Sequence, residues 1–199
     1  MLPIRLETER YASGFKRQTE AQDTLVADPE SLEPLTLETV DLENPLFVRF
    51  INCNTDDEFI TFANRFSDHS PLPLKSLRRE EILIRAISVM SIGAIPLEDF
   101  GIDPMKVANL LEHVALRPTI RHVDGASRLV LIATSTADFM HMELATAFEA
   151  GAKMADCAHC GRFFLFGPHT GRRSHGRFCA DRCRVAAMRA RNAKKGQGL

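Results

Sequence analysis

Two pairs of cysteines close to the C-terminus constrain this chain more than any other feature. Two residues separate Cys157 from Cys160, three separate Cys179 from Cys183, and 18 residues lie between the pairs. In a reducing compartment disulfides are not the expected use of such pairs, whereas thiolates at these spacings can converge tetrahedrally on Zn²⁺. Catalytic zinc needs an open coordination position, which four thiolates do not leave. We therefore expect one structural zinc ion bound by all four.

The residues around the two pairs predict a treble-clef-like zinc finger. Gly161 relieves the backbone after the Cys-x-x-Cys turn, and Cys179 and Cys183 lie on one face at the start of a helix. Between the pairs we expect a strand at 163–166, a turn, and a return strand at 176–178. A redox Cys-x-x-Cys motif and unbound thiols are the alternatives, but the thioredoxin-like βαβ context is absent. The fifth cysteine, Cys53, is expected to be a small buried hydrophobe.

Charge is distributed unevenly along the chain. The whole chain carries −1, whereas residues 1–152 carry −10 and residues 153–199 carry +9. This asymmetry favours a basic module that binds a polyanion, and the alternative is that the two parts attract each other. Guanidinium groups bind phosphates bidentately and can contact guanine edges. The candidate nucleic-acid-binding residues are Arg172, Arg173, Arg177, Arg182, Arg184, Arg189, Arg191, Lys194 and Lys195.

Composition divides the chain into three parts. Residues 1–44 are acidic and poor in large apolar side chains, which predicts a largely disordered arm whose one docking element is an edge strand at 35–40. Residues 45–153 predict an α+β body that is mainly helical with a small sheet. Residues 154–199 form the zinc finger with its basic C-terminal helix.

Patterning within the body predicts two strands and four helices. The strands are expected at Leu46–Ile51 and Arg128–Ala133. The helices are expected from a capping box at Thr55 and Glu58, over Leu77–Ile95, from Asp103 to a stop at Pro118, and from Ser135 or Thr136 to about Lys153. The inner face of the last helix is expected to comprise Phe139, Met140, Leu144 and Phe148.

Composition and motifs also argue against several classes of protein. The longest apolar stretch, 82–97, is interrupted by Arg85 and Pro96, and the first ten residues have no apolar core of a signal peptide. We therefore expect a cytoplasmic protein without a membrane partner. Walker A, Gly-x-Ser-x-Gly and His-Glu-x-x-His motifs are absent, and His159, His169 and His175 have no Asn nearby to build a finger nuclease. We do not expect an enzyme.

The stretch from Arg128 to Arg191 resembles, in the order of its parts, the bacterial ABATE-domain proteins with a CGNR-type zinc finger. The motifs that carry the likeness are Cys160-Gly161-Arg162-Phe163-Phe164, Arg177-Phe178-Cys179, and Cys183 leading into an Arg/Ala-rich helix; Phe47–Asn52 is similar to the start of that domain. Cys183-Arg-Val-Ala186 stands where the family has Cys-Gly-Asn-Arg. The finger also resembles a broader set of bacterial treble-clef modules.

The resemblance implies a helical sensor-like body and a DNA-binding finger, as in stress-induced transcription regulators. We expect a zinc-containing nucleic-acid-binding protein, with DNA as its partner, whose body binds a small-molecule ligand or mediates homodimerisation. The alternative is a protein-interaction adaptor in which the finger is a scaffold and its basic face meets an acidic partner. No run of aromatics offers a stacking platform that would point to RNA instead.

Overall fold

A mixed four-stranded sheet is the centre of the structure. The structure is a computed structural model. It describes residues 4–12, 15–19, 22–27, 32–39, 42–66, 77–79, 84, 114–123, 125–172 and 176–196. In chain order the elements are β1 (Ile4–Tyr11), β2 (Phe15–Thr19), β3 (Gln22–Ala27), β4 (Leu32–Thr39), α1 (Leu46–Phe50), α2 (Asp56–Phe66), β5 (Leu116–Val123), β6 (Ala126–Ala133), α3 (Thr136–Glu149), β7 (Lys153–Asp156), β8 (Phe163–Phe166) and α4 (Asp181–Gly196).

The strand order of the main sheet is β4-β1-β6-β5. β1 lies parallel to β6 and antiparallel to β4, and β5 and β6 form an antiparallel hairpin. Two further hairpins stand apart from this sheet, β2 with β3 and β7 with β8. Strands are as prominent as helices in the described residues, so the prediction of a mainly helical body was wrong, while the α+β class holds.

The N-terminal segment differs from the disordered arm that its composition predicted. β1 is an inner strand of the main sheet and continues it from the body strand β6. Ile4 and Leu6 point into the core and are fully buried, and the charged residues between and beyond them form ion pairs such as Arg121 with Glu7. Two of the acidic residues that suggested disorder, Glu7 and Glu9, therefore belong to the outer face of β1. The edge strand expected at 35–40 is present as β4.

The first predicted body strand, Leu46–Ile51, is instead the short helix α1. Periodicity cannot assign a run of six largely apolar residues to a strand or a helix, because a buried strand and a buried helix both give an uninterrupted series of apolar residues. Tertiary contacts decide the outcome. The buried carboxylate of Glu143, on α3, accepts the backbone N–H of Phe47 at 3.0 Å and so satisfies a free donor at the start of α1.

Capping signals predicted α2 and α3 correctly at their starts. The Thr55 Oγ1 accepts the N–H of Glu58 at 3.3 Å and the Glu58 carboxylate accepts the N–H of Thr55, as in a capping box. Ser135 caps α3 by accepting the N–H of Asp138 at 3.0 Å. α3 ends at Glu149, before the expected Lys153.

The inner face of α3 and the strand of 128–133 are also largely as predicted. Phe139, Met140 and Leu144 are buried, but Phe148 is 60% exposed, so its assignment to the inner face was wrong.

Pro118 lies in the edge strand β5, which the sequence did not predict. Most of the helix expected over Leu77–Ile95, and most of the helix expected from Asp103, lie outside the described residues.

Aromatic packing joins α1 to α2 in the main core. The ring of Phe50 contacts those of Phe59 and Phe62, and Phe62 contacts Phe66, with centroid separations of 4.9 to 5.8 Å. Met154 of β7 and Leu165 of β8 belong to the same core, so the C-terminal hairpin packs against the body. None of the helices in the described part of the chain has the length and apolar character needed to span a bilayer.

Replacing Leu6 tests whether the N-terminal strand is part of the fold. We expect Leu6→Ala to lower the free energy of unfolding in urea by about 2–5 kcal/mol, because Leu6 is fully buried. Leu32→Ala is the matched control, since Leu32 is 45% exposed in β4, and should change it by about 0.5 kcal/mol or less. Equal, small effects of both changes would contradict the placement of β1.

Candidate metal centre

The β7–β8 hairpin presents the first cysteine pair at its tip. Cys157 and Cys160 lie in the connection between the strands, where the N–H of Cys157 donates to the Arg162 carbonyl at 2.9 Å and the N–H of Gly161 donates to the Cys157 carbonyl at 2.9 Å. Gly161 has a φ of +70°, a conformation that glycine adopts without strain, as its position after the second cysteine predicted. This tight turn directs both sulfurs to one side.

The strand β8 was predicted, but its partner is different from the one expected. It pairs with β7, which precedes the first cysteine pair, and not with residues 176–178. Beyond β8 an isolated bridge joins Gly167 to Arg172. The chain then reaches the second pair without a regular return strand among the described residues.

The second cysteine pair is fixed by the start of α4. The Ala180 carbonyl accepts the N–H groups of Cys183 and Arg184, which makes Ala180 the N-cap residue. Cys179 therefore precedes the helix and only Cys183 lies in its first turn, whereas both were expected at the start of the helix. The free N–H groups and the positive end of the helix dipole favour thiolates at this position.

The four sulfurs converge on one point. The Sγ of Cys179 lies 3.6 Å from that of Cys160 and 3.5 Å from that of Cys183, and the Cys183 and Cys160 sulfurs are 3.8 Å apart. The Sγ of Cys157 completes the group, and all four atoms lie within 4.8 Å of one another. A tetrahedral ion with metal–sulfur bonds of about 2.3 Å places its sulfurs about 3.8 Å apart. The group has the size and donor chemistry to hold a metal ion.

Backbone donors make the four thiols unequal. Burial raises the pKa of Cys157, but the N–H groups of Cys179, Cys160 and His159 outweigh it and lower this pKa to about 6. The pKa of Cys179 is raised by burial and by its hydrogen bonds with the other three cysteines. A bound metal cation would allow several thiolates to coexist in this small volume.

A small apolar cluster surrounds the sulfurs. Phe164 is buried against Cys157 and Cys183, and Phe166 and Phe178 pack on the same cluster. Because this cluster is too small to stabilise a fold by itself, a metal ion would contribute directly to the stability of the module.

Asn52 attaches the cysteine module to the body. Its Oδ1 accepts the N–H of Phe163 at 2.8 Å and its Nδ2 donates to the carbonyl of the same residue at 2.9 Å, so the side-chain amide pairs with the outer edge of β8 as a neighbouring strand would. The N–H of Leu42 also donates to the His169 carbonyl at 2.8 Å. Nothing in the sequence pattern predicts this attachment, because 111 residues separate Asn52 from Phe163.

Arg172, a predicted nucleic-acid contact, is used inside the protein. Its guanidinium donates to the carbonyls of Glu43 at 3.0 Å, Leu165 at 3.3 Å and Cys179 at 3.0 Å. It also lies 5.9 Å from the centre of the Phe164 ring. The half-buried side chain thus connects the segment before α1, strand β8 and the second cysteine pair.

The other predicted basic residues fall into three groups. Arg182, Arg184, Arg189 and Arg191 are exposed on α4, where Arg184 pairs with Asp181 at 3.2 Å. Lys194 and Lys195 belong to the last turn of α4, and Arg177 is exposed before it. Arg173 lies outside the described residues.

The histidines near the finger and the fifth cysteine are not part of the candidate metal-binding group. His159 and His169 are exposed, and His175 is not among the described residues. Cys53 is buried, as predicted, and its Sγ donates to the Arg49 carbonyl at 3.6 Å.

No protein-family model, curated protein or solved structure matches this chain.

Serine substitution tests the metal centre. We expect the purified chain to carry about one metal ion, and Cys160→Ser or Cys183→Ser to release it, because a neutral hydroxyl cannot replace a thiolate ligand. Helix content measured by far-ultraviolet circular dichroism should fall with the metal, since Cys183 lies in the first turn of α4. Cys53→Ala is the matched control and should retain the metal. A Cys160→Ser, Cys183→Ser double variant that keeps a full complement of metal would contradict the assignment.

Arg172→Lys separates an internal role from a nucleic-acid contact. The change keeps the charge but removes the planar fork that reaches three carbonyl groups. We expect the free energy of unfolding to fall by roughly 2 kcal/mol. Arg184→Lys, on an exposed residue of α4, should leave stability unchanged. The internal role is wrong if both variants unfold at the same denaturant concentration as the wild type.

Proposed function

We propose that this protein binds nucleic acid, with DNA as its partner, and that its four cysteines hold one structural zinc ion that fixes the binding helix α4. The observation that carries the proposal is the exposure of α4. From Met188 to Ala193 every residue is exposed, so the second half of the helix projects from the rest of the described structure. Four of the exposed residues on α4 are arginines.

A projecting helix of this composition needs both an anchor and a partner. Residues 188–193 bury no apolar face and so gain little from packing, and short isolated helices are marginal in water. The zinc ion would anchor its first turn through Cys183. Phosphates of a duplex would neutralise Arg184 and Arg191, which lie on one face, and Arg182 and Arg189, which lie on nearly the opposite one.

Zinc is the metal best suited to the site. Four thiolates select soft or borderline cations, and Zn²⁺ accepts a tetrahedral four-sulfur shell without a geometric penalty. The role proposed for zinc is structural. The acidic body, at −10 over residues 1–152, is repelled from DNA, which would leave α4 as the contacting element. We extend the proposal to a cytoplasmic transcription regulator of the ABATE/CGNR type, on the resemblance of the finger motifs.

A protein-interaction adaptor is the second candidate. Met188 is 46% exposed on α4 and lies on the face of Arg184 and Arg191. An apolar residue between two arginines could pack against an acidic protein as well as against a groove of DNA. The salt dependence of binding and its sequence preference separate the two candidates.

Binding to a random pool of duplex DNA across a salt series tests the proposal. We expect affinity to fall steeply with salt, and Arg184→Ala with Arg191→Ala to flatten the logarithmic slope by about 0.9 for each phosphate that the variant no longer neutralises. Arg117→Ala with Arg128→Ala removes the same charge from the exposed β5–β6 hairpin and is the matched control. Absence of binding by the zinc-loaded chain at low salt would reject DNA binding and favour the adaptor.

A further inference from the structure

A groove of about 880 Å³ separates α1 and α2 from the cysteine module. Val48, Phe62 and Phe66 contribute its apolar surface on the body side, and Phe163 and Leu165 of β8 face them. Cavities of this size accommodate small organic ligands. The groove extends as far as Cys179 and the first turn of α4, and its lining does not include the exposed residues 188–193.

Arginines are the prominent charged residues of the groove. Arg49 and Arg65 line the body side, and Arg162, Arg172 and Arg182 line the side of the cysteine module. Three carboxylates, those of Glu43, Asp57 and Glu58, also line it. Glu58 is engaged by the cap of α2 and by Arg162 at 3.3 Å, and Arg172 is engaged by backbone carbonyls.

Arg49 and Arg65 both pack on the ring of Phe66. Their guanidinium carbons lie 4.8 Å and 5.2 Å from the centre of the Phe66 ring. Within the part of the chain that the structure describes, neither guanidinium donates a hydrogen bond or forms an ion pair. Two cations therefore line the groove without a protein acceptor for their guanidinium groups among the described residues.

The electrostatic environment of Arg49 reflects its partial burial and the neighbouring charge of Arg65. Burial lowers the pKa of Arg49, and the charge of Arg65 lowers it further. Glu143 raises it by a smaller amount from within the core, where its Oε2 already accepts the N–H of Phe47. An anion bound between the two guanidinium groups would relieve their repulsion.

We infer that this groove binds a phosphate group, with Arg49 and Arg65 as its principal ligands. A phosphate carries a charge of about −1.5 to −2 near pH 7 and offers three acceptor oxygens, which matches two guanidinium groups. The phosphate can belong to a free small molecule or to a nucleic-acid strand. Both sources present the same chemistry to the arginines, and binding of a free phosphate compound here does not require α4 to bind nucleic acid.

Calorimetric titration of the metal-loaded full chain with pyrophosphate tests the inference. We expect binding that Arg49→Gln with Arg65→Gln weakens by about tenfold or more. Arg65→Gln alone, on an exposed residue, gives a variant whose folding does not depend on the change and should weaken binding in the same direction. Arg117→Gln with Arg128→Gln removes two exposed arginines elsewhere and should leave pyrophosphate affinity unchanged.

A second titration with a short duplex DNA identifies the source of the phosphate. If the groove holds a nucleic-acid phosphate, the Arg49→Gln, Arg65→Gln variant binds DNA more weakly and pyrophosphate competes with DNA. If it holds a free ligand, the same variant binds pyrophosphate more weakly while its DNA affinity is unchanged. Arg184→Ala with Arg191→Ala should weaken only DNA binding, so failure of the proposed function is separable from failure of the groove.

The inference is overturned by either of two results. One is that the groove variants and the control variants bind both pyrophosphate and DNA equally. The other is that the wild-type chain binds no pyrophosphate and the groove variants bind DNA with wild-type affinity. Metal content and thermal midpoint, measured for every variant, show that each compared chain is folded.

Discussion

The structure depends on a set of hydrogen bonds that join residues 42–52 to the cysteine module. Asn52 pairs with both backbone groups of Phe163, the N–H of Leu42 binds the His169 carbonyl, and Arg172 donates back to the Glu43 carbonyl. The Asn52 bonds satisfy polar backbone groups on an outer edge of β8, which would otherwise be open to water or to another strand. Together the bonds connect β8, the turn at His169 and the second cysteine pair to residues 42–52.

A metal ion at the four sulfurs would reinforce this attachment. Arg172 contacts the carbonyl of Cys179 as well as that of Leu165, so it links the second cysteine pair to the strand that follows the first. A metal ion at the sulfurs would join the second cysteine pair directly to the first. The first turn of α4 would thereby be fixed relative to the body, while residues 188–193 are exposed.

The groove is a consequence of the same docking. Its two walls come from α1–α2 and from the cysteine module, which are brought together by Asn52 and Arg172. Arg49 and Arg65 occupy the last turns of α1 and α2, where a cation also interacts favourably with the helix dipole. That placement explains how two neighbouring cations are tolerated without a bonded carboxylate among the described residues.

Local spacing along the chain was enough to predict the convergence of the four cysteines, the caps of α2 and α3, and strands β6 and β8. Charge counts were less informative, because they placed Arg172 with the exposed arginines of α4, whereas in the structure it is an internal connector. Only the folded chain shows that 46–50 is a helix, that β1 lies inside the main sheet, and that Arg49 and Arg65 both lie over the Phe66 ring. The physical reason is the distance along the sequence over which each kind of interaction acts. Caps, turns and cysteine pairs act within a few residues, whereas strand pairing, burial and the Glu143 bond to α1 join residues about a hundred positions apart, and no local pattern specifies them.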